Sequence, residues 1–231
     1  ENYPDLKAFS GINPNYAWGQ DAWSDFTEAM KIIKPQAQIG TIVWPKLGAG
    51  QYGTEISAVL GSGGEIVHNG LWGGDLEAYI LQAAPRGLLA KMPNIIMTGE
   101  TVIERMGAQL PDGTILGARG PNGPFAPQTT LNKWFQKAFK DRFGVAPVYA
   151  SYHMATAFLG AKAAFEKAQA ANKVQAPTID QIIGAFEYLK FESVAGMVDM
   201  SLGKGHQAVQ HVPYGTVKKV DGKITLTNIK Y

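Results

Sequence analysis

Cysteine is absent from all 231 residues. That excludes disulfides, thiolate metal sites and a cysteine nucleophile, and it suits an oxidising compartment, where a stray thiol is a liability. Charge is scarce too. Asp, Glu, Lys and Arg make up 17% of the chain, and 21 basic against 19 acidic residues leave a net charge of +2. Such a balance offers no basic stripe for nucleic acid, while 45% hydrophobic residues exclude the composition of a disordered chain. Long apolar runs are also missing. The uncharged stretch Val145–Ala161 is broken by Pro147, Ser151 and His153, which excludes a transmembrane helix there. No signal-peptide pattern is visible in these residues.

What is present is alternation. Strand-like apolar runs at Leu6–Ile12, Gln38–Trp44, Glu65–Asn69, Asn94–Met97 and Thr114–Ala118 are each followed by a polar or glycine-containing loop. Helical patterns lie between most of them. Over 21–33, Trp23, Phe26, Met30 and Ile33 share one face, and the patterns over 54–60 and 75–84 place Thr54 and Asp75 as N-caps. Strand–helix alternation predicts an α/β fold with a parallel sheet and helices on both faces, whose ligands sit outside the carboxyl ends of the strands.

Beyond Gly120-Pro-Asn-Gly-Pro124 the pattern changes to helices with almost no strands between them. Leu131, Trp134, Phe135, Ala138 and Phe139 form one stripe; residues 150–169 read as a longer Ala-rich helix; Thr178 and Gln181 make a capping-box pattern ahead of a third. The tail alternates over 210–219 and 223–229, with Val220-Asp-Gly222 as the turn. Three apolar helical faces need a surface to cover. Either the helices form a bundle of their own, or a missing N-terminal segment, in cis or as another chain, supplies a sheet; the opening Glu1-Asn-Tyr-Pro4, directly before a strand, favours the second.

The residues make no case for catalysis. Gly48-Ala-Gly-Gln-Tyr-Gly53 matches G-x-G-x-x-G, but Pro45, Lys46 and Leu47 separate it from the strand, and the next strand ends at His68-Asn69 without an acid for a ribose hydroxyl. A connecting loop is the better reading, with a nucleotide-dependent enzyme as the alternative. His68, His153, His206 and His211 lack metal-ligand spacing, so neither a metal nor a cofactor is expected. What stands out is aromatic residues in the loops after strands. Tyr16 and Trp18 follow the first, Trp72 the third, and Glu100 the fourth. In a parallel sheet these loops share one edge, where flat apolar faces and one carboxylate suit a small ligand.

The runs Asn13-Pro-Asn-Tyr-Ala-Trp-Gly-Gln-Asp21, Gly70-Leu-Trp-Gly-Gly-Asp75, 131–144 and Pro147-Val-Tyr-Ala-Ser-Tyr152 resemble the type I periplasmic solute-binding proteins of ABC importers, in their Leu/Ile/Val-binding branch. The resemblance implies two α/β lobes that trap a ligand between them and deliver it to membrane permease subunits. Residues 1–120 then correspond to most of the second lobe, 121–202 to the helical part of the first, and 203–231 to the return to the second. The family's N-terminal segment, with most of the first lobe's sheet, has no counterpart. The resemblance places Trp18 and Trp72 as aromatics lining the ligand, Glu100 as the acid that meets an ammonium, and Tyr149 or Tyr152 as an aromatic of the hinge-side wall. Hinges are implied near 120–124 and 203–205. The expected ligand is an amino acid or an aromatic acid, the expected compartment is periplasmic, and a ligand-sensing domain of a receptor or regulator is the alternative.

Overall fold

A computed structural model of the chain describes residues 3–221 and 223–231. Two compact units emerge. One runs through Ala118 and takes up Tyr214–Lys230 again; the other comprises Arg119–Pro213 with Tyr231.

In the first unit the alternation reads β1 (Ala8–Ile12), α1 (Ala17–Ile33), β2 (Gln38–Val43), α2 (Gly53–Leu60), β3 (Ile66–Asn69), α3 (Gly73–Ala83), the single-turn α4 (Leu88–Lys91), β4 (Asn94–Ile96), α5 (Ile103–Met106) and β5 (Ile115–Gly117). Strands β1 to β5 pair in parallel, in the order β5-β4-β3-β1-β2. One face carries Ile12, Val67, Ile96 and Leu116, all sealed from solvent together with Ile56 and Val59 of α2 and Leu76, Tyr79, Ile80 and Ala83 of α3. On the other face α1 lays Trp23 and Phe26 against Phe9 of β1, with ring centroids 5.9 and 5.4 Å from it. Gly11 makes room for this helix: a Cβ there would meet the Trp23 ring at 2.5 Å. Thr54 and Asp75 do not cap their helices as expected. Tyr52 and Trp72 occupy the N-cap positions, which leaves Thr54 and Asp75 inside the first turn.

The second unit holds α6 (Thr130–Phe143), α7 (Tyr149–Asn172) and α8 (Ile179–Phe186). It also contains three strands that the pattern did not predict: β6 (Lys190–Ser193), β7 (Gly196–Leu202) and β8 (Gln207–Val209) form an antiparallel sheet. Gly196, at φ 98°, turns the first hairpin while the Ser193 hydroxyl donates to its carbonyl at 2.7 Å. Phe191 of β6 packs over Gly160 of α7, where any Cβ would meet its ring at 2.8 Å. The capping box at α8 is formed as expected: the Gln181 N–H donates to the Thr178 hydroxyl, and the Thr178 N–H donates to the Gln181 side chain.

The chain returns to the first unit at Tyr214, not at 203–205; that segment is a tight turn between β7 and β8. Strands β9 (Tyr214–Val220) and β10 (Lys223–Lys230) then extend the first unit's sheet antiparallel beyond β5. Of the predicted turn over 220–222, Asp221 adopts a φ of 50°, and Gly222 lies outside the described residues.

Candidate functional site

Three loops follow the carboxyl ends of β1, β3 and β4, neighbouring strands in the sheet. Hydrogen bonds tie them together. The Trp18 indole N–H donates to the Gly70 carbonyl at 3.0 Å, joining the first loop to the second. The Thr98 hydroxyl donates to the Leu71 carbonyl at 2.8 Å, joining the third to the second. Beneath them, Asn69 accepts the Leu71 N–H at 2.9 Å and donates to Asn94, which also accepts from the Tyr79 hydroxyl. A fully enclosed set of side chains thus fixes the backbone on which the aromatic residues stand.

Trp72 and Tyr16 meet directly. The Trp72 indole N–H donates to the Tyr16 hydroxyl at 2.9 Å, and Trp72 is still 36% exposed. Because the phenol oxygen accepts this bond, its own O–H is left to donate. With half-buried Trp18 beside Gly70, the edge presents flat apolar faces and a directed hydroxyl. Glu100 lies half-buried in the turn Gly99–Thr101 after β4, on the loop that Thr98 anchors.

Asn13 was not singled out by its chemistry, although it opens the quoted run 13–21. It is wholly buried, and neither its amide oxygen nor its amide nitrogen has a hydrogen-bond partner among the described residues. Its oxygen lies against the α-carbon of Gly70, where a Cβ would come within 2.2 Å. An Asn immediately after a strand, opposite a Gly after the neighbouring strand, was the available signal.

Tyr149 and Tyr152 belong to the second unit. Tyr149 is half-buried, with the Arg119 guanidinium 3.4 Å from its ring centroid and the His153 ring against its edge. Tyr152 lies wholly in the core. Its hydroxyl donates to Asn132 at 3.1 Å and its ring packs on Phe135. Of the two alternatives, only Tyr149 has surface to offer.

The glycine motif is a braced loop. The Gly48 N–H donates to the Asp75 carboxylate at 2.7 Å, the Tyr52 N–H donates to Gln82, and the Arg86 guanidinium donates to the Gly53 carbonyl. A carboxylate and an amide oxygen already take amides that a phosphate would need. No group of three or more metal-ligating side chains occurs among the described residues.

A family profile described as periplasmic binding protein matches residues 7–223. The chain belongs to the periplasmic binding protein family. Its fold is that of the type I solute-binding proteins of ABC transporters. One such neighbour, from Rhodopseudomonas palustris BisB5 and solved with 3,4-dihydroxybenzoic acid, superposes with a TM-score of 0.79 at 19% identity, over 99% of this chain and 61% of its own. A second R. palustris solute-binding protein, solved with benzoate, gives 0.77 at 16% identity, over 99% and 59%. The Brucella ovis protein that binds leucine, isoleucine, valine, threonine and alanine gives 0.76 at 18%, over 99% and 60%. No curated protein matches the sequence. The periplasmic binding protein described here therefore spans about 60% of the length of these solved neighbours.

Proposed function

We propose that this chain is the larger part of a non-enzymatic solute-binding component of an ABC importer, which holds a small carboxylate outside the cytoplasm and presents it to permease subunits. The observation that carries this reading is the Trp72–Tyr16 pair at the carboxyl edge of the sheet, with Trp18 beside it. Indole faces take up a flat apolar group, and the Tyr16 hydroxyl supplies a donor for a carboxylate or ring oxygen. Glu100 accepts from a ligand ammonium or hydroxyl. A hydroxylated aromatic acid satisfies both the indole surface and a carboxylate acceptor. An amino acid with an apolar side chain satisfies them less fully, because it leaves the flat faces partly covered. The neighbours solved with benzoate and with 3,4-dihydroxybenzoate point the same way.

The polypeptide is also proposed to include a further segment that supplies a sheet to the second unit. On α7, Met154, Phe158 and Phe165 line one face and are exposed, Phe158 to 71%, and Trp134 on α6 is 64% exposed. Exposed faces of this kind mark a missing partner surface.

The test is a thermal-shift panel on the longer polypeptide with benzoate, 4-hydroxybenzoate, 3,4-dihydroxybenzoate, L-leucine, NAD and ATP. A rise in Tm with one of the acids alone is expected. A rise only with a nucleotide would replace this reading with an enzyme.

A further inference from the structure

Asn13 is the residue at which β1 has ended and the first loop of the site begins. Its own N–H donates to the Val43 carbonyl at 3.1 Å, and the Gly70 N–H donates to the Ile12 carbonyl at 3.0 Å. Backbone pairing with both neighbouring strands therefore runs up to this point. It holds the Asn13 side chain at the carboxyl edge of the sheet, between the start of the loop that carries Tyr16 and Trp18 and the start of the loop that carries Trp72.

The polar side chains buried nearby are paired within the protein. Asn69 accepts the Leu71 N–H and donates to Asn94, and Thr98 donates to the Leu71 carbonyl. Asn13 is equally enclosed, yet its amide oxygen and its amide nitrogen both lack a partner among the described residues. Leaving both unpaired costs the fold stability that an apolar side chain of the same shape would restore. The packing nevertheless makes room for the amide. Its oxygen lies against the α-carbon of Gly70, where a Cβ would come within 2.2 Å. A polar group that the fold shelters but does not pair is matched to something other than the protein.

The amide also specifies the chemistry of that partner. It offers N–H donors and a carbonyl acceptor side by side. A carboxylate uses only the donors and an ammonium only the acceptor, whereas hydroxyl groups donate to the oxygen and accept from the nitrogen. We infer that Asn13 is the specificity-determining residue that reads a ring hydroxyl of the ligand. This rests on the reading of the chain as a solute-binding protein, and it adds the group that separates hydroxylated aromatic acids from unsubstituted ones. The Trp18 indole donates to the carbonyl of the same Gly70 at 3.0 Å. That bond opens as the ligand enters, the two loops part at Gly70, and the hydroxyl takes up the amide.

Isothermal titration of benzoate, 4-hydroxybenzoate and 3,4-dihydroxybenzoate into the longer polypeptide tests this, repeated with Asn13→Leu and, as a smaller second variant, Asn13→Ala. The readout is the ratio of affinities, which a general loosening of the site does not move. The parent is expected to favour a hydroxylated acid over benzoate by about tenfold or more. Both substitutions should bring that ratio to within about twofold, by weakening the hydroxylated acid while benzoate binding stays near the parent's. The ligand-free Tm of Asn13→Leu should equal or exceed the parent's, because two unpaired polar atoms are gone. A preference that survives both substitutions would overturn the inference, as would a parent that binds the acids without discriminating among them. Equal losses for all three acids would mean that Asn13 only supports the fold, and would overturn it too. Each of these outcomes leaves the transport reading standing. A parent that binds none of the three contradicts the ligand class of that reading, and the inference falls with it.

Discussion

His68 lies on the sheet face beneath α1, stacked on Phe26 and 5.9 Å from the Trp23 ring, with no charged group among these contacts. Burial lowers its pKa from 6.5 to about 4. The imidazole is therefore neutral in the fold and takes up a proton near pH 6.5 once the chain unfolds. Stability is complete above pH 6.5 and falls as pH drops toward 4, with about 2 kcal/mol lost between pH 7 and 5. Urea unfolding at those two pH values should show the loss in the parent, and His68→Phe should flatten that part of the profile. Gly11 makes a second prediction at this scale. Its would-be Cβ meets Trp23 and Ile42 at 2.5 and 2.6 Å, so Gly11→Ala should destabilise by about 1–3 kcal/mol, read as a lower urea midpoint at unchanged slope. Neither role was legible in the sequence, because a lone His and one Gly among 27 carry no pattern. The loop aromatics were legible, since Tyr16, Trp18 and Trp72 each follow a strand; the Trp72–Tyr16 bond was not, because it joins residues 56 apart.

Among the elements, the amphipathic helices and the capping box were readable because their signals are local. Thr178 and Gln181 satisfy two backbone amides of α8 between them. Thr178→Ala should cost about 1 kcal/mol, seen as a lower Tm, whereas Thr178→Ser should stay close to the parent. Strands β6 to β8 escaped because only Phe191, Val198 and Met200 mark an inward face, and charged Lys190, Glu192 and Asp199 interrupt the run. The Leu131–Phe139 stripe was read as one buried face, but the helix divides it. Leu131 and Phe135 pack with Tyr152 and Val194, whereas Trp134 stays exposed. Spacing tells which residues share a face, not whether the surface opposite is present.

At the scale of the whole molecule, alternation of strand and helix foretold the parallel sheet, and with it the carboxyl edge whose loops carry Tyr16, Trp18 and Trp72. Register was beyond reach: the hairpin β9–β10 joins the sheet beside β5 through pairs such as Ile115 with Thr216, about a hundred residues apart in sequence. The side of α7 that carries Met154, Phe158 and Phe165 is exposed, and the chain spans about 60% of its solved neighbours. The central claim is that Trp72 and Tyr16 form a ligand surface. Isothermal titration of 3,4-dihydroxybenzoate, 4-hydroxybenzoate and L-leucine into the longer polypeptide, repeated with Trp72→Ala, tests it most directly. The account predicts saturable binding of an aromatic acid that Trp72→Ala weakens at least tenfold; binding unchanged by that substitution, or no binding of any of the three, would contradict it.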